Sequence, residues 1–345
     1  MNLPTKTIAD IAKEAGVGTA TVDRVLNGRP GVNADTMKKV MAAVQALGEP
    51  SVLRGRPRQQ QGFRFAYVMP SADLAVFNKT ERLIAQAAGE FRHKHITEVT
   101  YRINADDPAR FADELSKITD CDGIALIAPD LPPVKLAINE LVRSGTHIVT
   151  LFTDIAGSMR QAYVGADNRA AGRTAGLLLA RMAANPAKDT VLLLSQATRM
   201  AAQIDRRIGF AQVIEERFPN LAVARYFDLA NDDALHDSAF ENFLREKVDC
   251  NRLAGVYNVG DGTAGLLRVL AALPDARSAS VIAHDLTEQH RKLLISGSLA
   301  FLLDQDIHYS VLSAARVLRE LCENVRGALN IVQPRVEILT AENLL

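Results

Sequence analysis

Along the first fifty residues the apolar positions recur with the period of a helix. Ile8, Ile11, Ala12 and Ala15 fall at i, i+3, i+4 and i+7, with Thr7 placed to cap the start and Gly16 to end it. Val22, Val25 and Leu26 share a second face, which Gly28 closes. Met37, Val40, Met41, Val44 and Leu47 predict a third helix, capped by Asn33 and stopped by Gly48-Glu49-Pro50. From Phe63 the pattern changes. Short apolar runs such as "FRFAYVM", "GIALIA", "HIVTLF", "TVLLLS", "LAGVYNV" and "SVIAHD" alternate with longer helical stretches. Alternation of this kind predicts parallel, doubly wound sheets, and a stretch this long accommodates two such lobes. The expected fold is therefore α/β, with a three-helix N-terminal unit.

Composition adds little except in its distribution. The chain has 345 residues, 48% hydrophobic and 23% charged, which is ordinary for a globular protein. Its 40 basic and 40 acidic residues cancel. Residues 1–64, however, hold ten Lys and Arg against five Asp and Glu, so a small basic head precedes an acidic body. That asymmetry points to a polyanionic partner for the head. No apolar run is long enough to span a bilayer and no signal-peptide core is present, so a cytoplasmic protein without membrane contact is expected. The three cysteines, Cys121, Cys250 and Cys322, have neither zinc nor disulfide spacing and are expected to be reduced.

The link between the first two helices is "AGVG", a short glycine-containing turn, and helix, tight turn, helix is the helix-turn-helix pattern. Opposite the apolar stripe of the second helix lie Ala20, Asp23, Arg24 and Asn27, with Thr19 at the helix start. Such a face can enter the major groove, where arginine reaches guanine N7 and O6 and small residues permit close approach. Spacing alone fits a solvated bundle face equally well. After the third helix comes "LRGRPRQQQ", Leu53–Gln61, with three arginines around a glycine and a proline.

The residues carry a resemblance. "TIADIAKEAGVGTATVDRVLNGRPGVNADTMKKVMAAVQALG" resembles the DNA-binding headpiece of the LacI family, roughly T-x-x-D-[VI]-A-x-x-A-G-V-S-x-x-T-V-S-R-V-L-N. It departs at Gly18 and Asp23, where the family has serines. The second of those serines faces phosphate in the family. The resemblance implies DNA contacts from Thr7, Thr19, Ala20, Thr21, Arg24 and Asn27. In the family the following segment is a hinge helix that wedges a leucine into the minor groove. Gly55 and Pro57 make a helix poor here. Three readings of Leu53, Arg54, Arg56 and Arg58 stay open: an AT-hook-like arm in a narrow A·T-rich groove, a plain charged linker, or a short hinge helix with Leu53 as the wedge.

In the body, "GDGTAG" (Gly260–Gly265) has the spacing of a dinucleotide fingerprint, with Asp285 about 20 residues on. Too few residues follow it for a complete dinucleotide fold plus a catalytic domain. The body resembles instead a type I periplasmic-binding-protein fold. The resemblance rests on "AYVGADNRAAGRTAGLLL", "RRIGF", "NVGDGTAGLLRVL", "VIAHDLT" and "AFLLDQD". It implies a ligand cleft containing Arg206, Asn258, Asp261, Asp285 and Gln305. Phe77, Asp73 and Asp154 follow strands and join the candidates. Carboxylates, a guanidinium fork, amides and one aromatic ring suit a sugar or polyol. Arg206 could also pair an acid structurally, Asp261 could cap the next helix, and Phe77 could belong to the core. No catalytic constellation, metal set or cofactor site is legible.

The expected organisation is a headpiece at 1–50, a basic hinge at 51–62, and an effector-binding and dimerisation body at 63–345. The expected protein is a homodimeric transcriptional repressor, not an enzyme, reading a pseudo-palindromic operator under control of a monosaccharide or polyol. No heptad tail is seen after "PRVEIL", which favours a dimer over a tetramer. A sugar-binding protein without a DNA role and a nucleotide-cofactor enzyme built on "GDGTAG" are the competing classes.

Overall fold

Thr7 opens the first helix by a reciprocal cap. Its hydroxyl accepts from the Asp10 amide while the Asp10 carboxylate accepts from the Thr7 amide, and the helix runs Ile8–Ala15 (α1). Gly16 ends it at φ 65°, a conformation that favours glycine. Two further helices, Thr19–Leu26 (α2) and Ala34–Leu47 (α3), complete a three-helix unit. Asn33 accepts from the Thr36 amide at the start of α3. Ile11, Ala12, Val22, Val40 and Ala43 are buried in its core. Met37 and Met41 are not: they are 45% and 54% exposed. The buried stripe of α3 runs through Val40, Ala43, Val44 and Leu47, and the methionines expected in it flank it instead.

The computed structural model describes residues 7–26, 31–47, 62–93, 95–183, 185–196, 199–227, 233–324, 329 and 331–344. The chain divides into two compact units, Met1–Gly62 and Phe63–Leu345. Asn27, Gly28, Gly48-Glu49-Pro50 and the whole Leu53–Gln61 stretch lie outside the described residues.

The second unit has two sheets. The first contains Phe63–Pro70 (β1), Ile96–Ile103 (β2), Gly123–Leu126 (β3), His147–Leu151 (β4) and Ala162–Val164 (β5), all parallel, in the order β2-β1-β3-β4-β5. Ala75–His93 (α4) and Ile307–Cys322 (α12) pack on one face, Pro108–Ser116 (α5) and Pro132–Arg143 (α6) on the other. The second sheet contains Thr190–Leu194 (β6), Ala222–Tyr226 (β7), Leu253–Asn258 (β8), Ser280–His284 (β9), Phe301–Gln305 (β10) and Val336–Leu339 (β11), in the order β11-β10-β9-β8-β6-β7. Asn168–Met182 (α7) and Ala201–Arg217 (α8) cover one face. Asp233–Lys247 (α9), Thr263–Ala272 (α10) and Glu288–Ile295 (α11) cover the other. Two strands depart from expectation, one in its existence and one, within the strand-like run "PRVEIL", in its direction. β5 is three residues long, too short for a legible run. β11 is antiparallel to β10 at the sheet edge.

Helices α7 and α8 approach until their backbones touch. A Cβ on Gly172 would lie 1.9 Å from the Arg206 carbonyl oxygen, and one on Gly209 2.1 Å from that of Arg169. The close crossing sets the position of Arg206 on α8. The chain passes between the lobes at 165–167, at Asp306 and between Glu323 and Arg335, so α12 belongs to the first lobe although β10 and β11 belong to the second.

Candidate ligand cleft and DNA-reading face

In an open parallel sheet a crevice forms beyond the carboxyl ends of the strands, where neighbouring connections leave to opposite faces. In the first lobe that point lies between β1 and β3, and in the second between β6 and β8. A cleft open to solvent is lined from both. The first lobe supplies Leu74, Val76 and Phe77 after β1, Ile127 after β3, and Phe152 and Thr153 after β4. The second supplies Met200, Ala202, Gln203 and Arg206 from α8 and its approach, and Val259, Gly260 and Asp261 after β8. His284, Asp285, Thr287, His290 and Gln305 complete it. The lobes touch at the rims. Lys79 donates to the Leu286 carbonyl at 2.8 Å, the Asp130 amide to the Arg199 carbonyl at 3.0 Å, and the Ala202 amide to the Thr153 hydroxyl at 3.2 Å.

Arg206, 6% exposed, forms the floor. Its Nε donates to Asn168 Oδ1 at 2.8 Å, and one terminal nitrogen reaches the Val259 carbonyl at 3.4 Å and Asp285 Oδ2 at 3.9 Å. Asp285 Oδ1 accepts from the Gln305 amide at 3.1 Å. Gln305 Oε1 and Gln203 Oε1 are buried without a hydrogen-bond partner, a costly condition that a ligand hydroxyl relieves. Asp285 sits at φ 64°, left-handed for a side chain other than glycine. A polar frame holds it there. Its amide donates to the Leu303 carbonyl and its carbonyl accepts from His290 Nδ1 at 2.7 Å. His290 Nε2 then accepts from Thr263, which takes a bond from Asn258 at 3.0 Å. Burial lowers the pKa of His290 and keeps this ring neutral. Burial also holds His284 well below its ordinary range, so its Nε2 accepts from the Tyr257 hydroxyl at 2.5 Å.

The structure brings Phe77, Arg206, Asp261, Asp285 and Gln305 into one cleft and leaves three sequence candidates out. Asn258 is fully buried and orders the β8–α10 loop. Asp73 accepts from Asn78 at 2.7 Å on the exposed approach to α4. Asp154 is engaged by Arg160 and Thr150. Burial pushes its carboxyl up, but those bonds outweigh it and hold the pKa below the usual range. Asp261 is not a helix cap, since Gly262 at φ 82° takes that position without a side-chain bond. Gly262 and the buried Thr263 bond belong to the loop that "GDGTAG" makes here, which presents Asp261 to the cleft. Gln203, Thr153, His284 and His290 were not candidates from sequence. Gln203 was findable, because it lies one helical turn before Arg206.

Asp261 has its pKa pushed up to about 6 by burial and by the nearby Asp285, with Arg206 offsetting part. A raised folded-state pKa stabilises the fold below the unfolded value and loses that contribution as pH rises through about 6. Asp261→Asn should therefore raise the melting temperature of the body at pH 7.5, with the gain vanishing near pH 4. Calorimetric melts across that range check it, and an unchanged pH profile would show that the carboxylate is not buried as described.

In the headpiece Thr19, Ala20 and Arg24 are exposed on α2, while Thr21 and Asp23 are half-buried. Thr7 is exposed and caps α1. Thr19, Ala20 and Arg24 thus stand on the exposed side of α2, the candidate DNA-reading face. Residues 7–48 match the lacI family of bacterial regulatory proteins, and residues 65–325 match the periplasmic binding protein domain. The chain belongs, over most of its length, to the periplasmic binding protein domain family, and its N-terminal unit carries a lacI-family segment. The chain is 41% identical over 83 residues to the HTH-type transcriptional regulator MalR of Streptomyces coelicolor, 24% of each chain. It is 52% identical over 42 residues to catabolite control protein A of Priestia megaterium, 12% of this chain and 13% of that one. The alignments thus span about a quarter or less of these relatives. By fold, a LacI transcriptional regulator from Bacteroides fragilis, described as putative, superposes with TM-score 0.72 at 18% identity, over 82% of this chain and 98% of that one. The glucose-galactose binding protein GanP of Geobacillus stearothermophilus gives 0.71 at 20% identity, over 82% and 99%. Among the described residues no helix is long and apolar enough to cross a membrane.

Proposed function

We propose that the protein is a transcriptional repressor that binds a pseudo-palindromic operator as a homodimer, under control of a small polyhydroxylated ligand in the cleft. The observation that carries the ligand half is the convergence of Asp261, Asp285, Arg206 and Gln305 on one cleft in which two buried amide oxygens lack partners. Each ligand hydroxyl both donates and accepts, so a sugar or cyclitol can satisfy carboxylates, amides and a guanidinium together. Differential affinity of that ligand for two arrangements of the lobes is what would change DNA affinity. A thermal-shift panel of monosaccharides and cyclitols tests it. Binding at 100 times Kd should add roughly 2.7 kcal/mol. A ligand that binds without altering DNA affinity would sink the regulator reading.

The DNA half rests on the exposed face of α2. Arg24→Ala should weaken operator binding by about 1–3 kcal/mol and relax sequence preference, measured by competition with random DNA. Equal behaviour of variant and parent would place the reading face elsewhere. For the basic stretch, replacing Arg54, Arg56 and Arg58 by glutamine should flatten the salt dependence by up to about one unit of slope per lost phosphate contact. A loss larger on A·T-rich than on G·C-rich operator centres is expected of a minor-groove arm. An equal loss is expected of a plain linker.

A further inference from the structure

Polarity in the cleft is divided by lobe. The wall from the first lobe is Leu74, Val76, Phe77, Ile127 and Phe152, and its one polar side chain among the described lining residues, Thr153, already accepts from the Ala202 amide. The backbone of that wall is also engaged. The Phe152 carbonyl accepts from Tyr163 and Asn168, and the Leu74 carbonyl from the Asn78 amide. The polar side chains that converge on the cleft, Gln203, Arg206, Asp261, Asp285 and Gln305, come from the second lobe. A fully hydroxylated sugar carries hydroxyls around its whole ring edge. Closed between these walls, the edge facing the first lobe would bury hydroxyls against carbon, and a buried unpaired hydroxyl is costly. The charge is divided as well. Among the described residues the lining holds two carboxylates and one guanidinium, and Arg206 is already engaged by Asn168, Val259 and Asp285.

From this division, and resting on the polyol reading above, we infer that the ligand is an uncharged amphipathic polyol: hydroxyls on one edge, and a deoxygenated or alkylated edge or an apolar aglycone on the other. The hydroxyl edge lies on Asp285, Asp261 and Gln305. The apolar edge lies on the Ile127 and Val76 wall. A phosphorylated sugar does not fit, because among the described lining residues no unengaged cation meets its charge while two carboxylates repel it.

Matched pairs test this by titration calorimetry on the full chain: D-galactose with D-fucose, L-mannose with L-rhamnose, and D-glucose with its methyl and phenyl β-glycosides, together with D-galactose 6-phosphate. In any pair that binds, the deoxy or alkylated member should bind roughly 10- to 100-fold tighter, and the phosphate should not bind. Val76→Thr keeps the side-chain shape on a half-buried position and places a hydroxyl in the wall, so it should narrow the preference several-fold. Equal or tighter binding of the fully hydroxylated member, or binding of the phosphate, overturns the inference while leaving the polyol reading intact. Absence of binding by every member and by every monosaccharide and cyclitol of the thermal-shift panel at millimolar concentration overturns the polyol reading itself, and the inference with it.

Discussion

Gly172→Ala is expected to destabilise the body by roughly 3 kcal/mol or more, at or beyond the upper end for overpacked sites. A domain of this size should then melt about 5–10 °C lower. The added methyl would meet the Arg206 carbonyl oxygen at 1.9 Å, and the atom it meets is backbone, so no side chain can rotate away. Relief requires separating α7 from α8, which moves Arg206 and opens the packing around Phe210 and Val213. Gly89→Ala is the control. It lies exposed inside α4 with nothing within 4 Å of the new methyl, and should stabilise by about 0.5–1 kcal/mol through helix propensity. Circular-dichroism melts of the two variants should move in opposite directions. Parental melting of Gly172→Ala would mean that α7 and α8 do not cross this closely.

Asp285→Asn should reduce affinity for the ligand found by the thermal-shift panel by roughly 1.5–3 kcal/mol, the range for a hydrogen bond to a charged group. Asparagine is the informative replacement. It tolerates the left-handed backbone found here at φ 64°, whereas alanine would add strain of about 1–2 kcal/mol and confuse the result. DNA affinity without ligand should stay at the parental level, because Asp285 lies in the second compact unit and the reading face in the first. The variant should therefore hold the operator and ignore an inducer, or fail to gain affinity from a co-repressor. Parental ligand affinity in calorimetry would remove Asp285 from the site.

Much of this architecture was legible because periodicity reports burial directly. The stripe Ile8, Ile11, Ala12, Ala15 and the apolar runs of β1, β3, β6 and β8 are sequence images of one buried face or a fully buried strand. β5 was not legible, since Ala162–Val164 offers one pleat and takes its pairing from β4. Met37 and Met41 fit a helical stripe by spacing, but which side of α3 faces the bundle is decided by α1, so the spacing left the choice open. The cleft shows the same limit. Arg206, Asp285 and Gln305 follow from strand ends and motif. Asp73 and Asp154 look identical to them in one dimension, and only the fold shows that Asn78 and Arg160 occupy their carboxylates. Gln203 could have been read from its helical spacing to Arg206.

The placement of α12 bears on how the chain emerges from the ribosome. Its apolar face, with Ile307, Val311, Ala314 and Leu318, closes the same core as Tyr67, Phe91 and Val149, and Tyr67 donates to the Val311 carbonyl at 3.0 Å. About 140 residues separate the end of β5 from the start of α12, which at ordinary elongation speed is roughly 7 to 30 s of translation. For that interval the first five strands are made, but the face of their sheet that α4 and α12 share has only α4 to cover it. The partly covered apolar face is prone to aggregation until the last long helix appears. A chain truncated before Ile307 loses not a tail but the lid of its earliest core.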